Sequence, residues 1–194
     1  MNQSFQTPDK ANAVFFASFP IQISDEHPDY PALTLGNYML GGGFLNSRLA
    51  TRIRQKDGLS YGVGSNFSAS PKQDNAMFMG NAILNPLNIG KVEKAFIEEL
   101  DKAFKEGFTK EEVDSAKKGW LQSRQVMRTE DQSLTGVLAN AAAYDRTMAF
   151  MREVESKVDS LTVEQVNAVF KKYMDPAKLS IFKAGDFEKA GIKP

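Results

Sequence analysis

The spacing of the apolar residues changes several times along this chain, and the order of those changes constrains its fold. Residues 12–23 (NAVFFASFPIQI) are rich in aromatic and β-branched side chains, which predicts a buried central strand. Apolar residues alternate with small ones from Leu59 onward, which predicts a second strand. Residues 75–84 (NAMFMGNAIL) predict its hairpin partner, and residues 178–186 (KLSIFKAGD) predict a last strand.

The segments between these strands have helical spacing instead. A short helix is predicted from Tyr30 to Leu40. Leu45, Leu49 and Ile53 recur every four residues, which places them on one stripe of a helix that Gly58 ends. Further helices are predicted over residues 89–103, 109–121, 133–144, 147–158 and 162–173.

Strands early in the chain, helices in the middle and a strand at the end predict an α+β fold. We expect a single α/β sandwich domain over residues 1–194, in which helices cover one face of a largely antiparallel sheet. A chain of 194 residues is long enough to bury a substantial core. Apolar residues make up 42% of it and charged residues 25%, which argues against a disordered chain.

The charge balance and the missing residue types exclude several classes of function. Lys and Arg together number 24, as do Asp and Glu, which argues against a nucleic-acid partner. No apolar run reaches the ~20 residues that span a bilayer, so we expect a soluble protein without a membrane span. Residues 1–10 show no signal-peptide pattern, which leaves the compartment open because a domain cut from a longer protein would begin in the same way. The absence of cysteine removes disulfides, thiolate metal sites and cysteine nucleophiles.

Residues 41–65 (GGGFLNSRLATRIRQKDGLSYGVGS) combine three consecutive glycines with three arginines and a tyrosine. The glycines do not form a dinucleotide fingerprint, because Asn46 occupies the position of the third glycine, and no Gly-Lys-Ser or Gly-Lys-Thr follows them. We therefore predict a tight, close-packed turn between two helices rather than a phosphate-binding loop.

His27 is the only histidine, and it lies in a polar turn before Pro28. The sequence contains no H-x-x-E-H motif, and one histidine cannot supply the ligands of a hydrolytic zinc site. No G-x-S-x-G motif is present to support a serine nucleophile. We expect an exposed loop histidine, no catalytic residue and no metal or other cofactor in this chain.

The arginines and the tyrosine have ordinary interpretations when only their spacing is considered. Arg48 and Arg52 lie four residues apart on one helix face, while Arg54 points about 160° away from Arg52. Such arginines are typical of a solvated helix face. Tyr61 falls on the apolar face of its predicted strand, where a tyrosine usually packs into the core with its hydroxyl satisfied.

The stretch DYPALTLGNYMLGGGFLNSRLATRIRQKDGLSYGVGS resembles the non-catalytic half of the pitrilysin/insulinase family of zinc peptidases. The segments PDKANAVFFASFPI, GFTKEEVDSAKKGWLQSR and KLSIFKAGD are similar to the first strand, the long helix and the closing strand of that half. The resemblance thus covers essentially the whole chain.

The resemblance implies a role that the residues alone do not establish. Family enzymes are built from duplicated α+β units that face each other around a peptide chamber, and one unit carries the H-x-x-E-H zinc motif. The zinc-free unit supplies an arginine and a tyrosine seven residues apart that reach toward the substrate, and the matching positions here are Arg54 and Tyr61. The resemblance therefore implies peptide binding by this chain, zinc in a partner catalytic domain or subunit, and a periplasmic location.

Two alternatives remain open at the level of sequence. The chain could be a scaffold subunit of the same fold without a role in proteolysis, as some family relatives are. It could also be an anion-binding module that uses Arg48, Arg52 and Arg54.

Overall fold

The computed structural model describes residues 1–193, and a five-stranded sheet forms its centre. The strands lie in the order β1-β5-β2-β4-β3, and every neighbouring pair is antiparallel except β1 with β5. Their bounds are β1 Asn2–Gln6, β2 Ala13–Ile21, β3 Ser60–Ala69, β4 Ala76–Leu84 and β5 Ser180–Gly185. The predicted α+β fold with a largely antiparallel sheet is confirmed, and β2 is the central strand as predicted.

Helices occupy the middle of the chain. The α-helices are α1 Tyr30–Asn37, α2 Ile89–Glu106, α3 Lys110–Met127, α4 Asp131–Ala143, α5 Met148–Ser160 and α6 Val163–Tyr173. Capping boxes at Thr109 with Glu112 and at Thr162 with Gln165 start α3 and α6. Gly107, with a φ of 76°, ends α2.

The two faces of the sheet have different environments. Side chains of β2 that point to one face, such as Phe15 and Phe19, are buried in the core, where the Phe15 ring lies 5.2 Å from Phe96 of α2. The other face carries apolar side chains that stay partly exposed. These are Phe5, Phe16, Met77, Met79, Ile83 and, half-buried, Phe182. The helices thus cover one face of the sheet, as predicted.

The triple glycine forms a close-packed turn, as predicted, and the structure shows what it packs against. Tyr38–Gly42 is a π-helical segment, in which the N–H of Gly43 donates to the carbonyl oxygen of Tyr38 at 2.7 Å. A Cβ atom on Gly41 would lie 2.6 Å from the backbone nitrogen of Ser65 in β3. The hydroxyl of Ser65 also donates to Oδ1 of Asn37 at 2.7 Å, which fixes this turn against the edge strand.

Two elements differ from the sequence prediction. β1 had no predicted counterpart, because its exposed residues show no buried face and its pairing partner β5 lies at the other end of the chain. The helix after the glycines is π-helical over Ala50–Lys56, and the N–H of Asp57 donates to the carbonyl of Arg52 at 3.0 Å. An α-helical wheel therefore does not describe the directions of its arginines correctly.

Candidate functional site

A tight turn brings Arg54 and Tyr61 into one groove. Gly58 adopts a φ of 61°, which reverses the chain after the π-helical segment, and the N–H of Leu59 donates to the carbonyl of Ile53 at 2.9 Å. Strand β3 therefore begins beside the helix that carries Arg54. The groove has a volume of about 270 Å³, and both Arg54 and Tyr61 line it.

Tyr61 points to solvent because β3 contains a bulge at this position. Ser60 pairs with Leu84 and Gly62 pairs with Ile83, so Tyr61 is the extra residue without a partner on β4. The buried hydroxyl of Ser60 donates to the carbonyl of Ile83 at 2.6 Å and accepts the N–H of Gly62 at 3.1 Å. The bulge thus keeps its backbone groups satisfied while the tyrosine turns outward.

The prediction that Tyr61 packs on the apolar face of its strand is therefore wrong. Its side chain is 85% exposed, whereas Ser60 faces the core and Val63 and Phe67 resume the inward positions after the bulge. One extra residue shifts the alternation of a strand, and the pattern of apolar residues does not reveal it. Sequence reasoning also missed Ser60, whose only signal is a small polar residue next to a tyrosine and a glycine inside a strand.

The groove continues onto the helix-free face of the sheet. Asn81 and Ile83 of β4 line it together with Arg54 and Tyr61, and Ile83 is 52% exposed. Among the described residues of the five strands, none that points to this face carries a charge. Hydroxyl, amide and guanidinium donors thus stand at the edge of a broad, uncharged and largely apolar surface.

Arg48 and Arg52 form ion pairs with other parts of the chain, and they line a different groove from Arg54. Nε and Nη2 of Arg48 both donate to the carboxylate of Glu112 at 2.8 Å, and its guanidinium lies 4.6 Å from the ring centre of Phe108. Arg52 forms ion pairs with Asp57 and Glu98 at 3.3 Å. The interpretation of Arg48 as a solvated side chain is wrong, because it joins its helix to the start of α3.

The pKa of Glu112 reflects this contact. Burial by itself raises the pKa of the carboxyl group, but the hydrogen bonds from Arg48 and from the backbone N–H of Thr109 outweigh it. The pKa therefore lies below its ordinary value of 4.5, and Glu112 is a charged anchor for the guanidinium at neutral pH.

His27 is half-buried in its turn, where its Nδ1 accepts the N–H of Asp29 at 3.0 Å. The neighbouring carboxylates Asp25 and Glu26 are bound by Arg146. Within residues 1–193, no group of three or more His, Cys, Asp or Glu side chains is placed to hold a metal ion. Over the same residues, no helix combines the length and the apolar character that crossing a membrane requires.

Comparisons with known proteins agree with this architecture. Residues 3–119 match the family model described as the peptidase M16 inactive domain. A crystal structure of a peptidase M16 inactive domain from Pseudomonas fluorescens superimposes with a TM-score of 0.80 and 29% identity, over 94% of this chain and 42% of that one.

Two curated relatives are similar to this chain and longer than it. The non-peptidase homologue YmxG of Helicobacter pylori is 26% identical over 86% of this chain, and an uncharacterized zinc protease of Streptomyces coelicolor is 32% identical over 71% of it. The chain spans only 38% and 29% of their respective lengths. Because the family model matches more than half of the residues, the chain belongs to the peptidase M16 inactive-domain family.

Proposed function

We propose that this chain is the substrate-contacting, zinc-free half of a zinc metallopeptidase, and that Arg54 and Tyr61 bind the peptide. The observation that carries the proposal is the outward position of Tyr61 at the bulge, in the same groove as Arg54. A core tyrosine needs no bulge, whereas a tyrosine that meets a ligand must leave the core. Bulges often re-aim a side chain beside a functional site.

The chemistry of the two side chains suits a peptide carbonyl. A guanidinium and a phenol are both hydrogen-bond donors, and two donors from rigid elements fix the position of a carbonyl oxygen. A catalytic domain carrying H-x-x-E-H would hold the zinc and the attacking water elsewhere. The uncharged sheet face next to the groove would then accept the side chains of the bound peptide.

The partner required by this proposal is a catalytic domain of the same family, either in a longer polypeptide or as a separate subunit. The greater length of the curated relatives supports the existence of such a part. A periplasmic location follows only from the family resemblance, and cell fractionation with an antibody against the chain would test it.

A second candidate is a scaffold subunit of the same fold that takes no part in proteolysis. The name of the Helicobacter pylori relative, a non-peptidase homologue, favours it. The two candidates differ in one expectation: only a peptide-binding half requires Arg54 and Tyr61 for catalysis.

The test is a kinetic comparison of variants in the enzyme assembled with its H-x-x-E-H partner. Arg54→Ala and Tyr61→Phe should each lower kcat/KM, since each removes one hydrogen-bond donor near the scissile bond. The loss should correspond to about 1 to 4 kcal/mol of transition-state stabilisation. Zinc content and melting temperature should stay nearly unchanged, because the partner holds the metal ion and Tyr61 is 85% exposed.

Arg52→Ala is the matched control, since Arg52 lies on the same helix but lines a different groove. It should leave kcat/KM unchanged. Full activity of Arg54→Ala would end the assignment of that residue to the substrate. A preparation in which no partner yields any peptidase activity would favour the scaffold role instead.

A further inference from the structure

A second pocket lies on the other side of the edge strand, between the helices and β3. Its volume is about 370 Å³, within the range of small-molecule sites. Five aromatic rings line it: Tyr30, Tyr38, Phe67, Trp120 and Phe150. Arg124 of α3 carries the one charge among the described lining residues. The pocket thus combines aromatic walls with a single cation.

The guanidinium of Arg124 lacks a good acceptor. Its Nε atom is buried and has no hydrogen-bond partner within the described part of the chain. The nearest carboxylate, Glu155, lies 3.9 Å from Nε, which is too long for a hydrogen bond, and it is bound by Arg128. A buried donor without a partner is costly, so the chain leaves this guanidinium incompletely satisfied. Its side chain is 31% exposed, and the exposed part is what a ligand in the pocket would meet.

The local charge also favours an anion. Two guanidinium groups, Arg124 and Arg128, share the single carboxylate of Glu155. The guanidinium of Arg124 lies 5.5 Å from the ring centre of Trp120, which holds its plane beside the aromatic wall. Two positive charges therefore face one carboxylate at the wall of a pocket that is lined by aromatic rings and by polar side chains such as Asn37 and Asn66.

We propose that this pocket binds a small carboxylate that carries an aromatic ring, with the carboxylate on Arg124 and the ring among the aromatic side chains. A carboxylate supplies the planar pair of acceptors that a guanidinium binds best. The ring gains the apolar burial that the aromatic walls offer. The site adjoins the groove of Arg54 and Tyr61 through Ser65 and Asn66, but neither Arg54 nor Tyr61 lines it. The proposal does not depend on the function proposed above.

Ligand binding at this site can be followed by tryptophan fluorescence, because Trp120 lines the pocket and is the only tryptophan in the sequence. Phenylpropanoate is titrated into the purified chain, and tryptophan emission is followed with excitation where the phenyl ring does not absorb. A saturable change in emission is expected. Phenylpropanamide, which has the same shape without the charge, should bind at least about tenfold more weakly, since it loses a charged hydrogen bond.

Two variants connect the signal to the pocket. Arg124→Met should abolish the difference between the acid and the amide, whereas Arg54→Ala, in the other groove, should leave both titrations unchanged. If Arg124→Met lowers the melting temperature strongly, Arg124→Lys replaces it and should keep weakened binding of the acid. Equal affinity for acid and amide in the unmodified chain, or no saturable change with either, would overturn the proposal.

Discussion

At the scale of single residues, Ser60 decides where Tyr61 points. Its hydroxyl takes the place of a ladder hydrogen bond by joining the carbonyl of Ile83 to the N–H of Gly62. Without that hydroxyl, the carbonyl of Ile83 and the N–H of Gly62 lose these hydrogen bonds, and the bulge becomes less favourable relative to regular pairing, which would turn Tyr61 inward. The direction of the tyrosine therefore depends on a side chain that touches no ligand.

We predict that Ser60→Ala destabilises the chain by about 1 to 2 kcal/mol and lowers kcat/KM of the assembled enzyme as Tyr61→Phe does. Urea unfolding and steady-state kinetics on the same variant would measure both effects. Asn167→Ala is the control, because it also removes side-chain hydrogen bonds to the backbone, those with Phe108, but Asn167 does not line the groove. Unchanged kinetics of Ser60→Ala would show that the bulge does not position Tyr61.

Gly41 offers a second prediction at this scale, since there is no room for a side chain between it and β3. We expect Gly41→Ala to cost about 1 to 3 kcal/mol of unfolding free energy, because its Cβ would collide with the backbone of Ser65. Gly136→Ala, in α4, meets nothing within 4 Å and should stabilise the chain by up to about 1 kcal/mol. Denaturant unfolding would compare the two, and a neutral Gly41→Ala would contradict the close packing.

Some residues of the candidate site could be predicted from the sequence, and others could not. Arg54 and Tyr61 were identified by resemblance to a family motif, and the turn at Gly58 that joins them follows from a glycine after a helical stripe. The bulge could not be predicted, because strand alternation has no marker for one extra residue. The pocket of Arg124 could not be predicted either, since its walls come from elements far apart in the chain.

At the scale of elements, local signals predicted most of the structure. Capping boxes placed α3 and α6, and alternation placed β3 and β4, because those features depend on residues close in sequence. The strand β1 and the π-helical turns escaped prediction for the opposite reason. β1 is a strand only through its pairing with β5 at the other end of the chain, and the π-helical turn before Gly43 is packed against β3.

The ion pair of Arg48 with Glu112 connects two of these elements, and it makes stability depend on pH. The pKa of Glu112 lies below 4.5 in the folded chain, so folding favours the charged form. The resulting stabilisation is fully present above the ordinary pKa and is lost as pH falls through the lower pKa of the folded state.

We therefore predict that Glu112→Gln, which can keep the capping box but not the charge, costs about 1 kcal/mol at neutral pH once solvent screening is allowed for. The difference from the unmodified chain should shrink progressively below pH 4.5. Urea unfolding at a series of pH values would follow it. A difference that stays constant down to acid pH would show that the charge of Glu112 contributes nothing.

At the scale of the whole molecule, the chain leaves two surfaces uncovered. The uncharged face of the sheet is open to solvent, and helix α4 contains no buried residue within the described chain. The curated relatives are longer than this chain, and under the proposed function a catalytic partner provides residues to cover these surfaces. Both observations agree with a half that contacts substrate only when the other half is present.

The proposed function places the zinc in a catalytic partner and leaves only peptide contact to this chain. The last prediction is therefore that the isolated chain holds no stoichiometric zinc and cleaves no peptide. A hydrolytic zinc site needs about three protein ligands, and this chain has one histidine, which accepts a backbone hydrogen bond from Asp29, and no cysteine. The carboxylates beside it are bound by Arg146, so they are not free to coordinate a metal ion.

Metal analysis after dialysis and an assay with an unstructured peptide would test both parts. His27→Ala should have the same near-zero zinc content as the unmodified chain, which separates specific binding from contamination. Adding the H-x-x-E-H partner should restore both zinc and chelator-sensitive cleavage, because the partner supplies the metal-activated water that this chain cannot generate. One tightly held zinc per isolated chain, lost in His27→Ala, would refute the assignment of this half as zinc-free.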